Sequence, residues 1–359
     1  MHGPEASPPP PVPDLQRLLV VDLGFLGDTI HLIPALHELR RHHTHARLDV
    51  VTTPVGAQVL EMVPGLGRVW TYPLGNPSPP WWRHLDLQRA LRREHYDLSL
   101  NFSGADRTLF VAGFAGIPRR LTRAPARAGA WRRWLGGSLL APPSRDLPVF
   151  EQRRQLLAAA GYGLVAPRVD LDPGPVARDW ASGRVPAGAV HLSVNASSPF
   201  KEWPLTSWIE LCRAALEHGL PALVATASTQ ARERERLRQL THAVANPRLL
   251  VLDEPLRIPQ LAAVVERCAL HVGTDSGVTH LAMALGRPTV SLFREYAGLR
   301  EWAPIGPSHR SLVQPCLCVD RPALEPACAR SGSAECLARI HPSAVLQAMR
   351  ETLEKHTPA

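Results

Sequence analysis

The chain has 359 residues, 45% of them hydrophobic and 20% charged, a balance that suits two globular domains of ordinary size and excludes a fibrous or disordered class. No apolar run reaches the roughly 18 residues needed to cross a bilayer, so a membrane-spanning class is excluded as well. A formal net charge of +8 and a pI of about 9.7 favour anionic partners: nucleic acid, phosphorylated small molecules or an acidic lipid face.

Residues 1–14, MHGPEASPPPPVPD, are proline-rich and lack the basic start and apolar core of a secretory signal. They read as a disordered lead-in, and the expected location is the cytoplasm. From residue 17 short apolar runs alternate with helical spacing, the signature of β-α units and a parallel sheet. RLLVVDL is expected as a strand, DTIHLIPALHELRR as a helix, ARLDVVTT as a strand, GAQVLEMV as a short helix and GRVWTYPL as a third strand. LDLQRALRREH is an amphipathic helix leading into YDLSLNFSG, a fourth strand; RTLFVAGFAG is a helix and IPRRLTR a short edge strand. Residues 123–148 read as irregular, after which FEQRRQLLAAAGY resumes helical spacing.

The stretch 173–186 is expected as a linker, because β-α alternation begins afresh beyond it. AVHLSVNAS, PALVATAS, RLLVLDE, ALHVGTDSG and PTVSLF are the expected strands, with PLTSWIELCRAALEHG, QARERERLRQLTHAV, IPQLAAVVERC and VTHLAMALG as helices between them. The fold class is therefore α/β, with two Rossmann-like halves at 15–172 and 187–342. A final helix within 343–359 is expected to be able to pack back on the first half. Ligands of open parallel sheets bind beyond the carboxyl ends of the strands, so chemistry is expected in a cleft between the halves.

Three segments at strand ends carry the candidate chemistry. Asp28, in GDT at 27–29, stands where the first strand gives way to its helix. It admits two readings: a cap that accepts backbone N–H groups, or a general base facing the cleft. NASSPFKEWP, 195–204, combines Asn195, Ser197 and Ser198 with Lys201, one of only two lysines in an arginine-dominated chain. Small hydrogen-bonding groups plus one compact cation make a phosphate seat. In HVGTDSGVTHLAMALG, 271–286, a strand runs into Thr274, Asp275, Ser276 and Gly277, and a helix opens with His280 in its first turn. Free N–H groups and the dipole at such a helix start attract phosphate. The G-x-G-x-x-G fingerprint of dinucleotide binding is absent.

Two further features stand apart. Arg119, Arg120, Arg123, Arg127, Arg132 and Arg133 alternate with Trp131 and Trp134, a pattern that suits nucleic acid, an anionic lipid surface or a solvated loop. Four of six cysteines, Cys316, Cys318, Cys328 and Cys336, crowd near the carboxyl terminus. Their spacing departs from the zinc-ribbon pattern, which favours buried thiols over a structural metal site.

Taken together, LLVVDLGFLGDTIHLIPALHELRR, YDLSLNFSG, FKEWPLTSWIEL and GTDSGVTHLAMALGRPTVSLF resemble the corresponding motifs of the ADP-heptose:lipopolysaccharide heptosyltransferases, family nine of the glycosyltransferases. The resemblance runs in order from about residue 15 to 350. It implies a GT-B architecture, with two Rossmann-like domains whose parallel sheets face a central cleft, the acceptor held by the first and the nucleotide sugar by the second. It implies inverting, metal-independent transfer of heptose from ADP-heptose, which is a substrate rather than a cofactor, to a lipopolysaccharide core or related anionic glycan, near the cytoplasmic face of the inner membrane of a bacterium. Nucleic acid is not an expected partner.

By the same resemblance Asp28 and Lys201 are catalytic, the first as base and the second as the cation that neutralises the departing diphosphate. Ser197, Ser198, Thr274, Asp275, Ser276, Gly277, His280 and Glu233 line the nucleotide-sugar pocket, and Gly27, Thr29, Arg119, Arg120 and Arg123 the acceptor side. The chain departs from the family in lacking a glycine turn before Lys201, and the acid expected to hold the ribose is ambiguous between the neighbourhoods of Gln230 and Glu233. A relative that transfers another sugar or modifies a protein, and a binding protein that keeps the fold without catalysis, are the alternatives.

Overall fold

The structure is a computed structural model that describes residues 15–74, 81–124, 129–144, 146–163, 166–227, 230–296, 298–316 and 326–356. The chain divides into two compact units, 1–169 and 170–359.

In the first unit β1 (Arg17–Val21), α1 (Leu26–His42), β2 (Arg47–Thr52), α2 (Pro54–Leu60), β3 (Val69–Thr71) and α3 (Trp81–Arg93) follow one another. Then come β4 (Leu98–Asn101), α4 (Asp106–Phe114), β5 (Arg119–Arg123), α5 (Ala130–Gly136), β6 (Ser138–Leu140) and α6 (Val149–Ala159). The six strands pair in parallel in the order β3-β2-β1-β4-β5-β6. Strands covered on both faces become continuous apolar runs, and Leu18, Leu19, Val20 and Val21 of β1 are buried accordingly. Leu19, Val21 and Val51 meet Trp70, Leu91, Tyr96 and Val111 in the core on one side of the sheet.

The second unit opens with α7 (Pro175–Ser182) and β7 (Val190–Ser193). It continues through α8 (Leu205–Glu217), β8 (Leu223–Thr226), α9 (Ala231–Val244), β9 (Leu249–Leu252), α10 (Ile258–Arg267), β10 (Leu270–Thr274) and α11 (Gly277–Ala284). It closes with β11 (Thr289–Arg294), α12 (Leu299–Trp302), β12 (His309–Gln314), α13 (Pro326–Ser331), α14 (Glu335–Ala338) and α15 (Pro342–His356). The sheet order β12-β11-β10-β7-β8-β9 repeats that of the first unit, again with every neighbour parallel. Val190, Leu192, Leu223 and Val272 face a core built with α8 and α15, where Trp203 and Trp208 meet edge to face at 5.1 Å. Trp203 donates its indole N–H to the Ile340 carbonyl at 3.1 Å, which ties the Lys201 loop to the approach of α15.

Several expectations are corrected here. IPRRLTR is not an edge strand: β5 lies between β4 and β6, and the edge is the three-residue β6. The stretch read as irregular contains α5 as well as β6. Both are too short to show a period of their own, and they are held by contacts with α4 and β5. The stretch expected as a linker folds into α7, whose Arg178 forks onto Glu266 of α10 at 2.7 and 3.1 Å while Ala177 and Ala181 are buried. A sixth strand of the second sheet, β12, escaped the sequence because HRSLVQ carries polar residues at four of its six positions, as an edge strand permits. Helix α15 packs on α8 and along β10, β11 and β12.

Candidate functional site

In a doubly wound sheet the strand order reverses at one point, and the loops leaving the strands there diverge to opposite faces and open a crevice. In the first unit that point lies between β1 and β4, in the second between β7 and β10. The sequence-predicted Asp28 follows β1, the Lys201 loop follows β7, and the 274–280 segment follows β10. Each motif therefore stands at the reversal of strand order in its own sheet, the place where open parallel sheets in general bind ligands.

Asp28 is the third residue of α1, and Phe25, not Asp28, is the cap. Its Oδ2 accepts the Phe25 backbone N–H at 3.1 Å, so the capping role is real but is played from inside the helix. Arg153, from α6, completes the surroundings: it pairs with Asp22 at the end of β1, donates to the Asp28 carbonyl at 3.1 Å, and stands 3.9 Å from Asp28 Oδ1. Asp22 in turn accepts the Gly24 N–H at 2.9 Å. Burial raises the Asp28 pKa above its ordinary value of 3.8, the negative charge of Asp22 adds to the rise, and Arg153 opposes it. The Asp28 side chain keeps 31% of its surface exposed, so this destabilised carboxylate still meets solvent. Gly24 makes the arrangement possible, since a Cβ there would lie 2.2 Å from Asp28 Cβ.

Of the residues expected on the acceptor side, Gly27 and Thr29 are buried, and Thr29 donates its hydroxyl to the Phe25 carbonyl. Arg120 spends its guanidinium on the carbonyls of Ile117, Trp134 and Leu135, stapling β5 to α5. Arg119 opens β5 at its amino end, whereas Arg123 closes it at the carboxyl end, so strand direction separates these arginines. Arg127 lies outside the described residues.

In the second unit the predicted residues converge. Lys201 Nζ lies 2.8 Å from Asp275 Oδ2, and the Tyr296 hydroxyl donates to the same oxygen at 3.3 Å. Burial, reinforced by the Asp275 charge, raises the Tyr296 pKa, so its hydroxyl keeps its proton. Ser276 caps α11 without a side-chain bond to it, and the buried Ser276 Oγ and Thr274 Oγ1 have no hydrogen-bond partner among the described residues. Gly277 is the first residue of α11, and His280, one turn on, lies against Trp302 at 5.4 Å. Burial pushes the His280 pKa down to about 4, with Asp275 opposing and Lys201 adding to the fall; the ring is neutral at physiological pH.

Glu202, next to Lys201, is buried and accepts from the Ala196 N–H at 3.1 Å and from Arg232 at 2.7 Å; Arg236 bonds Asn195 Oδ1 at 3.1 Å. These α9 arginines hold the Lys201 loop. Ser198 accepts the Phe200 N–H, Ser197 is exposed, and Glu233 is buried in the first turn of α9. Asp22, Arg153, Glu202, Arg232, Arg236 and Tyr296 were not found from sequence. Only Asp22, which ends the first apolar run, carried a local signal.

Cys328 and Cys336 are buried, Cys316 is partly buried, and Cys318 lies outside the described residues. Burial, with Cys316 adjoining, pushes the Cys336 thiol up to about 12. Among the described residues no three His, Cys, Asp or Glu side chains are grouped to hold a metal ion.

Two Rossmann-like units of this topology in one chain define the GT-B class of glycosyltransferases. Residues 84–321 match the family described as glycosyltransferase family 9 (heptosyltransferase), and the chain belongs to that family. It is 27% identical over 300 residues to lipopolysaccharide heptosyltransferase 1 of Pseudomonas aeruginosa, covering 77% of this chain and 78% of that one. Its fold is similar to that of the Escherichia coli ADP-heptose lipopolysaccharide heptosyltransferase II, with a TM-score of 0.74, 19% identity and coverage of 95% and 99% of the two chains. It is also similar to the E. coli heptosyltransferase solved with ADP-2-deoxy-2-fluoro heptose, with a TM-score of 0.72, 20% identity and coverage of 94% and 99%. The chain is thus an enzyme, a glycosyltransferase. No described helix is long and apolar enough to cross a membrane.

The Asp28 environment makes a stability prediction. A carboxyl whose folded pKa lies above its unfolded one holds its proton more tightly when folded; that stabilisation is complete below the ordinary value and is lost as pH rises through the folded value. Asp28→Asn escapes the loss. Its thermal midpoint relative to the unmodified protein is therefore expected to climb as pH is raised from about 4 to about 8, which calorimetric melts across that range will check.

Proposed function

We propose that the enzyme transfers heptose from ADP-heptose to a lipopolysaccharide core or related anionic glycan, with inversion and without a metal ion. In this reaction Asp28 takes the proton of the acceptor hydroxyl as its oxygen attacks the anomeric carbon. The bond from that carbon to the diphosphate breaks, and ADP departs with the electron pair. Transfer in this form requires an acceptor held by the first unit and a donor held by the second. The donor chemistry draws its support from the names of the relatives, and the base from one observation: Asp28 is a desolvated carboxyl with a raised pKa at the ligand-binding end of its sheet. Such a base gains strength toward neutral pH and remains ionised above its folded pKa, so turnover is expected to rise with pH through that value.

Lys201 is the cation for the leaving diphosphate, aided by N–H groups at Ser276 and Gly277 and the dipole of α11. Its pairing with Asp275 holds the ammonium in place. The hydroxyls of Thr274 and Ser276, which have no partner among the described residues, supply further donors.

The acceptor is lipid-linked in this reading, and one surface suits a lipid face. Phe110 and Phe114 of α4 stack on each other at 5.7 Å, Trp131 of α5 stacks on Phe110 at 5.7 Å, and Trp134 meets Phe114 edge-on at 6.4 Å. All four rings are exposed, Trp134 by 67%, and the exposed Arg107 and Arg133 flank them. Aromatic rings beside arginines match the boundary of an anionic bilayer.

Four outcomes are expected. Against a panel of nucleotide sugars with truncated lipopolysaccharide core, ADP release should be selective for ADP-heptose. Asp28→Asn should lower turnover by about 10²- to 10⁴-fold with ADP affinity retained, and undiminished turnover would remove Asp28 as the base. Calorimetry should show Lys201→Ala binding ADP at least about tenfold more weakly. Phosphatidylglycerol-containing vesicles should sediment the protein at low salt, less so for the Phe110→Ser, Trp134→Ser double variant; equal sedimentation of both proteins would exclude the aromatic face.

A further inference from the structure

The second sheet has a cavity at its other edge, where the strands begin. Gly188, Ala269 and Pro288 stand just before β7, β10 and β11, and with the ends of α10 and α15 they line a space of about 340 Å³. That volume lies at the small end of ligand cavities, which run from about 300 to 1,000 Å³. The five residues of β10 put roughly 16 Å between this space and the Asp275 segment, so it is no part of the Lys201 site. A Cβ placed on Gly188 or Gly286, both at positive φ, would meet nothing within 4 Å, so these backbone faces are open to it.

Two half-buried arginines, Arg267 and Arg287, enter the wall, and among the described residues no carboxylate lines it. Glu266, next to Arg267 in sequence, is committed to Arg178 at 2.7 and 3.1 Å. Each guanidinium spends its Nε on a carbonyl, Arg267 on Val185 and Arg287 on Leu285, while the terminal nitrogens of both have no partner among the described residues. Both charges act on one point, the buried Cys268 thiol: burial pushes its pKa up to about 12, and the two arginines work against that rise. Bare carbonyls at the helix ends would repel an anion, but these are taken. Those of Val265 and Arg267 accept from Cys268 and Gly188, and those of Ala282 and Met283 from Arg287 and Gly286. His356 spends its ring nitrogens on the Thr352 carbonyl and the Ser308 hydroxyl, both at 2.9 Å. Among the described residues the free donors of this lining are therefore the terminal nitrogens of two guanidiniums.

We infer that this cavity binds a small phosphate monoester, its phosphoryl group on Arg267 and Arg287 and its carbon part against Leu353 and Pro288. Planar guanidiniums bind phosphate through paired N–H groups, and a phosphoryl group offers three acceptor oxygens and close to two negative charges, which match two forks and two cations. A carboxylate has one charge and two oxygens, and would leave one arginine unanswered. Bare inorganic phosphate would leave the apolar wall at Leu353 and Pro288 uncovered, so an ester gains contact that the free ion lacks. The ligand would tie the ends of α10, α11 and α15 to one another, and α11 is the helix whose first turn carries Gly277 and His280. Nothing in this inference depends on the donor sugar or on Asp28 as the base.

Amide NMR of the full chain tests the site, with glycerol 3-phosphate as the probe. The Gly188, Ala269 and Gly286 signals should move and saturate with it, and stay in place with glycerol or with sodium chloride at equal ionic strength. Signals that do not move, or that move alike with chloride, overturn the site, and this titration of the unmodified protein decides location without any variant. Arg267→Gln and Arg287→Gln should each weaken the binding at least about tenfold, whereas Lys201→Ala should leave it unchanged; a loss confined to Lys201→Ala would mean that the probe binds elsewhere. Acetate and inorganic phosphate complete the series. Both should bind more weakly than the ester: equal affinity for acetate overturns the phosphoryl assignment, and equal affinity for inorganic phosphate overturns the role of the apolar wall.

Discussion

Parallel pairing with a single reversal of strand order is the constraint from which the rest of this structure follows. A parallel strand can be reached only through a crossover, so every strand of both sheets ends in a loop at the same edge and every helix covers a face. At the reversal, between β1 and β4 and again between β7 and β10, neighbouring crossovers go to opposite faces and leave backbone uncovered at that edge. The chain puts Asp28 at the first such place, and Lys201 with Asp275 at the second. Such positions suit chemistry in general, because polar groups there can approach a ligand while resting on a rigid apolar sheet.

The two places are built by opposite electrostatic means. Around Asp28 the fold withholds stabilisation: burial and Asp22 work against the carboxylate, and Arg153 is shared between Asp22 and the Asp28 carbonyl rather than committed to the Asp28 side chain. A destabilised charge is reactive. Around Lys201 the fold supplies countercharge and hydrogen bonds, with Asp275, Tyr296 and the start of α11 converging on one point. A balanced, preorganised charge suits binding and departure of an anion. Both arrangements depend on close backbone approach, at Gly24 beneath Asp28 and at Gly273 beside His271, where a single added carbon would displace the group it supports.

Part of the support beneath the second site is polar, which is costly unless each group in it is satisfied. The Thr226, His191, His271 and Thr279 chain meets that condition because each proton has one acceptor. Glu202 meets it by accepting from Ala196 and Arg232 at once. These interior networks hold the loop that carries Lys201.

The sequence by itself determined the alternation of strands and helices, the division into two α/β halves, and the short motifs that close β1, β7 and β10, because each is written in residues a few positions apart. Hydrophobic spacing of two or of three to four residues is a local property, as is a polar cluster after an apolar run. Only the tertiary structure decided which side chains those motifs meet. Arg153 reaches Asp22 across 131 positions and His191 meets His271 across 80, distances over which no periodicity survives. It also made β5 an interior strand by adding β6, turned an expected linker into α7 through its seat on α10, and removed Arg120 from the binding candidates by giving its guanidinium three carbonyls. Short or polar segments of this kind owe their conformation to neighbours brought near by folding, and their own residues carry too little information to announce it.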